Sequence, residues 1–264
     1  MGSQPVLHCG IKEVDRETLS RVESPRGTDT WFPTKHHDVL ELVTSMLELS
    51  QFHVASERLG LSADGHRFFG TLKLRTELVP GVHIAVGVRN STDMTFPLGF
   101  CAGESVFVCD NLSFSSELIV NKRQTKNGGV RFREATNLAV QNLVQFQAAE
   151  TKRIEYLQTT SLARYEAEAL MLHAFEQGIL STRLLPLAIE QFRNPQFDWG
   201  PRDRLWYLFN AMTTPMQARA TSNPQQFALT TMKLVALMSP KEVGFDDIEA
   251  NFQGIDLDIE VDPI

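Results

Sequence analysis

Val39, Leu42, Val43, Met46 and Leu47 recur at the spacing of one helix face within "PTKHHDVLELVTSMLELS", with Thr34 in position to cap it. The pattern predicts an amphipathic helix. From Gln51 the period shortens to two: "FHVASERLGLSADGHRFFGTLKLRTEL" sets two alternating runs around Asp64-Gly65, the turn chemistry of a β-hairpin. Further strands are predicted at His83 to Arg89, Phe96 to Cys101 and Ser105 to Cys109, with another short one at Leu118 to Val120. After Gly128-Gly129 the period becomes helical. Ala139, Leu143, Phe146, Ile154 and Leu157 share a face over about Glu134 to Gln158, and Leu162, Tyr165, Ala169 and Leu172 mark the apolar face of a second helix. Pro186, Asn194-Pro195 and Gly200-Pro201 divide shorter helices, among them "RDRLWYLFNAMTT", before a last one at about Gln225 to Met238.

Strands followed by helices predict an α+β fold: an N-terminal helix and an antiparallel meander of about five to six strands, with a helical C-terminal half packed on it. Residues 1–33 are polar and punctuated by Pro25, Gly27 and Pro33. They read as an extended lead-in with one helical turn near Arg16 to Val22, before a single domain over 34–240.

Composition changes this picture mainly at the C-terminus. The net charge is −7, and from Lys241 onward eight acids face one base, so residues 1–240 are balanced at 24 against 24. Residues 241–264 therefore read as an acidic, flexible tail on a neutral body, and electric field is local on the scale of a Debye length. A hydrophobic content of 42% with 22% charge is that of a globular chain. With no 20-residue apolar run and no signal-peptide pattern, the expected location is the cytoplasm of a bacterial or phage-infected cell, away from membrane. Cys9, Cys101 and Cys109 form no CxxC pair and are expected to be reduced, buried thiols.

Three stretches carry a resemblance: "GVRNSTDMTFPLGFCAGESVFVCDNLSFSSE", the basic segment after it, and "LWYLFNAMT". Together they resemble the phage- and plasmid-associated family designated domain of unknown function 932, over about Trp31 to Met238. The family shows an Asn-Ser-x-Asp element like Asn90, Ser91 and Asp93, a Cys-(Asp or Ser)-Asn element like Cys109, Asp110 and Asn111, and an aromatic-Asn-Ala-x-Thr helix like Phe209 to Thr213, which contains Asn210. Its members commonly carry a basic-His-Thr triplet where this chain has Arg123-Gln124-Thr125, so no role of that imidazole carries over. The resemblance implies a mobile-element setting rather than a chemistry.

The residues themselves suggest one. Lys122, Arg123, Lys126, Arg131 and Arg133 fall within 12 positions, beside Gly128-Gly129 and Phe132. Clustered cations, flexible backbone and an aromatic suit a loop that tracks phosphates and stacks a base. The plainer account is a solvated hairpin tip. No helix-turn-helix or zinc finger is recognisable, so a single strand, most simply DNA, is the expected nucleic acid. The tail ending Asp262-Pro263-Ile264 resembles in kind the acidic tips of single-strand-binding proteins, and gives a second candidate surface, for host proteins.

Asn90, Ser91, Asp93, Asp110 and Asn111 sit at predicted strand ends, where Asx side chains most often close turns. Asn210 is a candidate buried amide bonding across to the sheet. Convergence of Asp93, Glu104, Asp110 and Glu117 would allow a divalent-metal nuclease, although the acid-x-Lys spacing of such enzymes is missing. The histidines lack chelating spacing, and there is no GxSxG, P-loop or GxGxxG. No catalytic residue, metal ligand or cofactor is therefore assigned. The leading reading is a non-enzymatic, oligomeric, single-strand-preferring accessory protein of a phage or plasmid, in replication, recombination or DNA protection. A protein-binding inhibitor of a host nuclease or immune effector, and a metal-dependent nuclease, are the alternatives.

Overall fold

The computed structural model describes residues 11–106, 111–217 and 224–239. The acidic stretch 241–264 lies outside the described residues, as do Cys9, Cys109 and Asp110.

Six strands form one antiparallel sheet in the order of the chain: β1 (Ile11–Val14), β2 (Val54–Ser62), β3 (Arg67–Val79), β4 (Val82–Ser91), β5 (Leu98–Val106) and β6 (Asn111–Lys122). Alternation decides which face is covered. Phe68, Leu72 and Leu74 of β3 and Val82, Ile84, Val86 and Val88 of β4 are all buried. Asp64-Gly65 turns β2 into β3 with Gly65 at φ 72, a conformation that glycine adopts without strain.

Eight α-helices occur among the described residues. They are α1 (Arg16–Ser20), α2 (His36–Leu49), α3 (Gly128–Gln141), α4 (Leu143–Thr159), α5 (Arg164–Glu176), α6 (Leu184–Arg193), α7 (Leu205–Thr213) and α8 (Pro224–Met238). Helices α2, α3, α4 and α8 contact strands β4, β6, β3 and β6 respectively, and α7 packs behind them. The fold is thus α+β, a meander sheet followed by a helical half. None of these helices is long and apolar enough to cross a membrane.

Four expectations change. The lead-in is docked rather than merely extended: β1 pairs with β2, Leu19 of α1 is buried, and Arg16 reaches both Glu57 of β2 and Glu41 of α2. The two strands expected at Phe96 to Cys101 and Ser105 to Cys109 begin as one, β5, running through Gly103 to Val106. The long helix over about Glu134 to Gln158 starts earlier, at Gly128, and is interrupted at Asn142.

On α5, finally, the apolar stripe Tyr165, Ala169, Leu172 faces outward, with Tyr165 72% exposed. Ala167, Met171 and Ala174 are buried instead. Alanines on the inner face let α5 approach α6, α7 and α8 closely, and that packing outweighs the bulk of the tyrosine stripe. Met171→Ala is accordingly expected to cost about 2–5 kcal/mol in urea denaturation, and Tyr165→Ser less than about 0.5 kcal/mol.

Candidate nucleic-acid interface

Strand β6 ends at Lys122 and α3 begins at Gly128, with five residues between them. Within that connection Thr125 N donates to Arg123 O at 2.9 Å and Gly128 N to Thr125 O at 2.8 Å, which makes a tight double turn. Gly128 is required there by space: a Cβ would overlap the Arg123 carbonyl oxygen. The double glycine is therefore the first turn of a helix rather than a flexible stretch.

Gln124 points inward and is buried, so its neighbours Arg123 and Thr125 face solvent. Lys126, Arg131 and Arg133 are also exposed, and Lys122 is half-buried. None of these five cations forms an ion pair among the described residues. Arg16, Arg67, Arg153, Arg164 and Arg204 all have carboxylate partners elsewhere in the chain. Asp29 of the lead-in and Glu134 of α3, both exposed acids, form no ion pair with the cluster among the described residues.

Helix α3 adds to the same potential. Its N-terminus has no side-chain cap and no acid in its first turn, so the positive end of its dipole lies among like charges. Folding alone gains nothing from cations there. An anion would relieve them.

Phe132 cannot stack on a base. It is 1% exposed and sits with Gly128, Thr136, Ala139 and Val140 on the buried stripe of α3. An aromatic that sequence reasoning missed is Phe32, 41% exposed, whose backbone N–H donates to Gln124 O at 2.7 Å. That bond places Phe32 one residue from Arg123. Arg26, exposed and without an ion pair among the described residues, lies in the same lead-in loop, which is closed by Thr28 N donating to Trp31 O at 2.8 Å. The available signal was "WFP", two aromatics without periodicity in a polar segment.

A second missed group is Arg89. Its side chain lies across Gly99, where a Cβ would come within 2.6 Å of its Cγ. Its guanidinium is 5.4 Å from the Phe96 ring centroid and donates to Asn121 Oδ1 at 3.0 Å. No carboxylate contacts it among the described residues, and burial pulls its pKa below the usual arginine value. A half-buried cation next to the end of β6 strengthens the positive field at the connection.

Beneath the connection lies a buried network of neutral polar groups. Asn90 Nδ2 donates to Thr34 O at 2.8 Å and to His36 Nδ1 at 3.0 Å. Gln124 Nε2 donates to Asn90 Oδ1 at 3.1 Å and to Ser91 O at 2.5 Å, while Gln124 Oε1 accepts from Thr34 N at 2.6 Å. His36 Nε2 completes the set by donating to Gly65 O at 3.1 Å, which assigns its tautomer. Burial holds the His36 pKa below its ordinary value, so the ring is neutral. Gln124, at the position where the resembled family has histidine, is thus a structural tie.

The other residues singled out in the sequence close a turn, begin a strand or bond within a helix. Ser91 Oγ donates to Phe96 O at 2.8 Å and accepts from Phe96 N at 3.0 Å. Asp93 accepts from Thr95 N at 3.0 Å and from Arg67 Nε at 2.8 Å. Partial burial opposes its charged form, but these bonds outweigh burial and hold the carboxyl well below the usual range. Asn111 begins β6, paired with Val106. Asn210 is buried in α7 and donates to Trp206 O of its own helix at 2.9 Å.

The register separates the acids considered for a metal. Glu104 pairs with Ile84, seven positions or about 23 Å at strand rise before β4 ends at Ser91, and Asp93 lies beyond that end. Among the described residues no group of three or more His, Cys, Asp or Glu is placed to hold a metal ion. Cys101 is buried, and that burial pushes its thiol pKa up to about 12, which suits a packing residue rather than a nucleophile. Comparisons with protein-family models, curated proteins and solved structures returned no match.

Proposed function

We propose that this chain is a non-enzymatic nucleic-acid-binding protein whose β6–α3 connection grips the phosphate backbone. The resemblance to a phage- and plasmid-associated family supports a role in replication, recombination or protection of mobile-element DNA. One observation carries the reading: Arg123, Lys126, Arg131 and Arg133 are exposed without a carboxylate partner among the described residues, at an uncapped helix start. Charges left open in this way cost the folded chain a little and are repaid only by a polyanion. The host-protein alternative rests on residues 241–264, outside the described residues. Of the acids named for the metal-nuclease alternative, Asp93 and Glu104 stand apart along the sheet, and Asp110 lies outside the described residues.

The test is binding of a labelled oligothymidylate to the full chain, followed by fluorescence anisotropy at 50 and 200 mM salt. Four phosphate contacts on a single strand release counterions with a log–log slope of about −2.8, so affinity falls roughly 50-fold across that range. Absence of binding at 50 mM salt overturns the reading.

A further inference from the structure

Phosphate contacts do not distinguish one strand from two, since both carry the same backbone charge. Distinction requires a group that meets an unpaired base face. Burial of Phe132 removes the aromatic that the basic segment itself offered. Phe32 is an exposed aromatic whose backbone adjoins the connection, bonded to the residue after Arg123. Its own N–H is bonded to Gln124 O, and Pro33 after it disfavours helical backbone at Phe32. The next residue, Thr34, donates to Gln124 Oε1 and accepts from Asn90. The backbone under Phe32 is therefore anchored at both ends to the buried network, while the ring remains 41% exposed. A half-open ring on an anchored backbone leaves only its side-chain torsions to be fixed on engaging a ligand, and it costs apolar exposure when nothing covers it.

We infer that Phe32 is the stacking platform of the β6–α3 site, so that its ligand is a single-stranded segment with at least one base laid on that ring and its phosphates on Arg123 and Lys126. This rests on the nucleic-acid reading above and adds the strand specificity. Stacking and charge are separable by salt: losing an aromatic platform weakens binding without releasing fewer counterions, whereas losing a phosphate contact lowers the slope.

The experiment compares wild type, Phe32→Ala, Phe32→Trp and Arg123→Ala, each as the full chain, on oligothymidylate and on a duplex of equal length. Phe32→Ala is expected to weaken oligothymidylate binding about tenfold, within the range for loss of one stacked base, with an unchanged salt slope and nearly unchanged duplex binding. Phe32→Trp is expected to restore affinity and to show fluorescence quenching on binding beyond that of wild type. Arg123→Ala lowers the slope by about 0.7. The ring is exposed, so a melting temperature near wild type verifies folding. If wild type binds and Phe32→Ala binds oligothymidylate equally well, or loses duplex binding to the same extent, the inference is overturned while the nucleic-acid reading stands. If wild type binds neither ligand at low salt, it is that reading which falls.

Discussion

Replacing Arg123, Lys126, Arg131 and Arg133 together by alanine is expected to lower affinity for oligothymidylate by at least about a hundredfold at 50 mM salt. The slope of log affinity against log salt should shrink by about three, as four counterions are no longer released. Replacing the exposed Lys152 and Arg183, which lie on other elements, should leave both quantities near wild type. The stability of the fourfold variant separates function from structure. None of the four residues makes an ion pair among the described residues, so no internal ion pair there is lost. Arg131 and Arg133 sit close to the uncapped start of α3, where positive charge is unfavourable by a few tenths of a kcal/mol to about 1 kcal/mol. The variant should therefore unfold at equal or slightly higher urea concentration than wild type. A structural role for these residues predicts the opposite sign, and a clear loss of stability with retained binding would count against the site.

The meander was legible because each of its hairpins buries one face: Phe68, Leu72 and Leu74 alternate with polar partners, and Asp64-Gly65 states its turn. What was not legible has physical reasons. Strand β1 is only Ile11–Val14, and it is a strand because the main chain of β2 offers it an edge, which leaves no periodicity of its own. Gly103 falls in the gap left between the two expected strands, yet a glycine inside a paired strand ends nothing when neighbours on both sides hold the ladder. On α5 two stripes compete, and propensity favours the bulky one. Only tertiary packing selects the alanines.

The site was half legible for the same kind of reason. Charge clustering is local in sequence, so Lys122 to Arg133 could be found. The partner aromatic comes from 91 positions before Arg123, through a backbone bond to Gln124 that no local pattern announces. Phe132 misled because, with glycine at i−4 and threonine at i+4, the buried face of α3 is marked by small residues rather than large ones.

Asn90→Ala should be the most damaging single change in the network that supports the site. It strands Thr34 O, His36 Nδ1 and one hydrogen of Gln124 Nε2 in a buried setting, and each unsatisfied group costs about 1–3 kcal/mol, partly recovered by entry of water. A loss of about 3–5 kcal/mol in urea denaturation is expected, and a loss below about 1 kcal/mol would mean that the network is not the tie described. The same geometry dictates a dependence on pH. Neutral His36 accepts from Asn90 on Nδ1, and a proton there would face another N–H. Its pKa in the folded chain is accordingly below the ordinary 6.5, with burial the main cause. As pH falls through 6.5 the unfolded chain gains a proton that the folded chain refuses. Stability is thus full above 6.5 and declines below it by up to about 1.4 kcal/mol per pH unit until the folded ring also titrates. His36→Gln, which cannot titrate, should lack this part of the decline, and an identical pH profile for the two proteins would refute the assignment. Because Gln124 carries Phe32 on its carbonyl and Arg123 at its side, mild acid should loosen the ligand site before the sheet itself gives way. Binding of oligothymidylate by wild type should then weaken between pH 6.5 and 5 more than it does for His36→Gln.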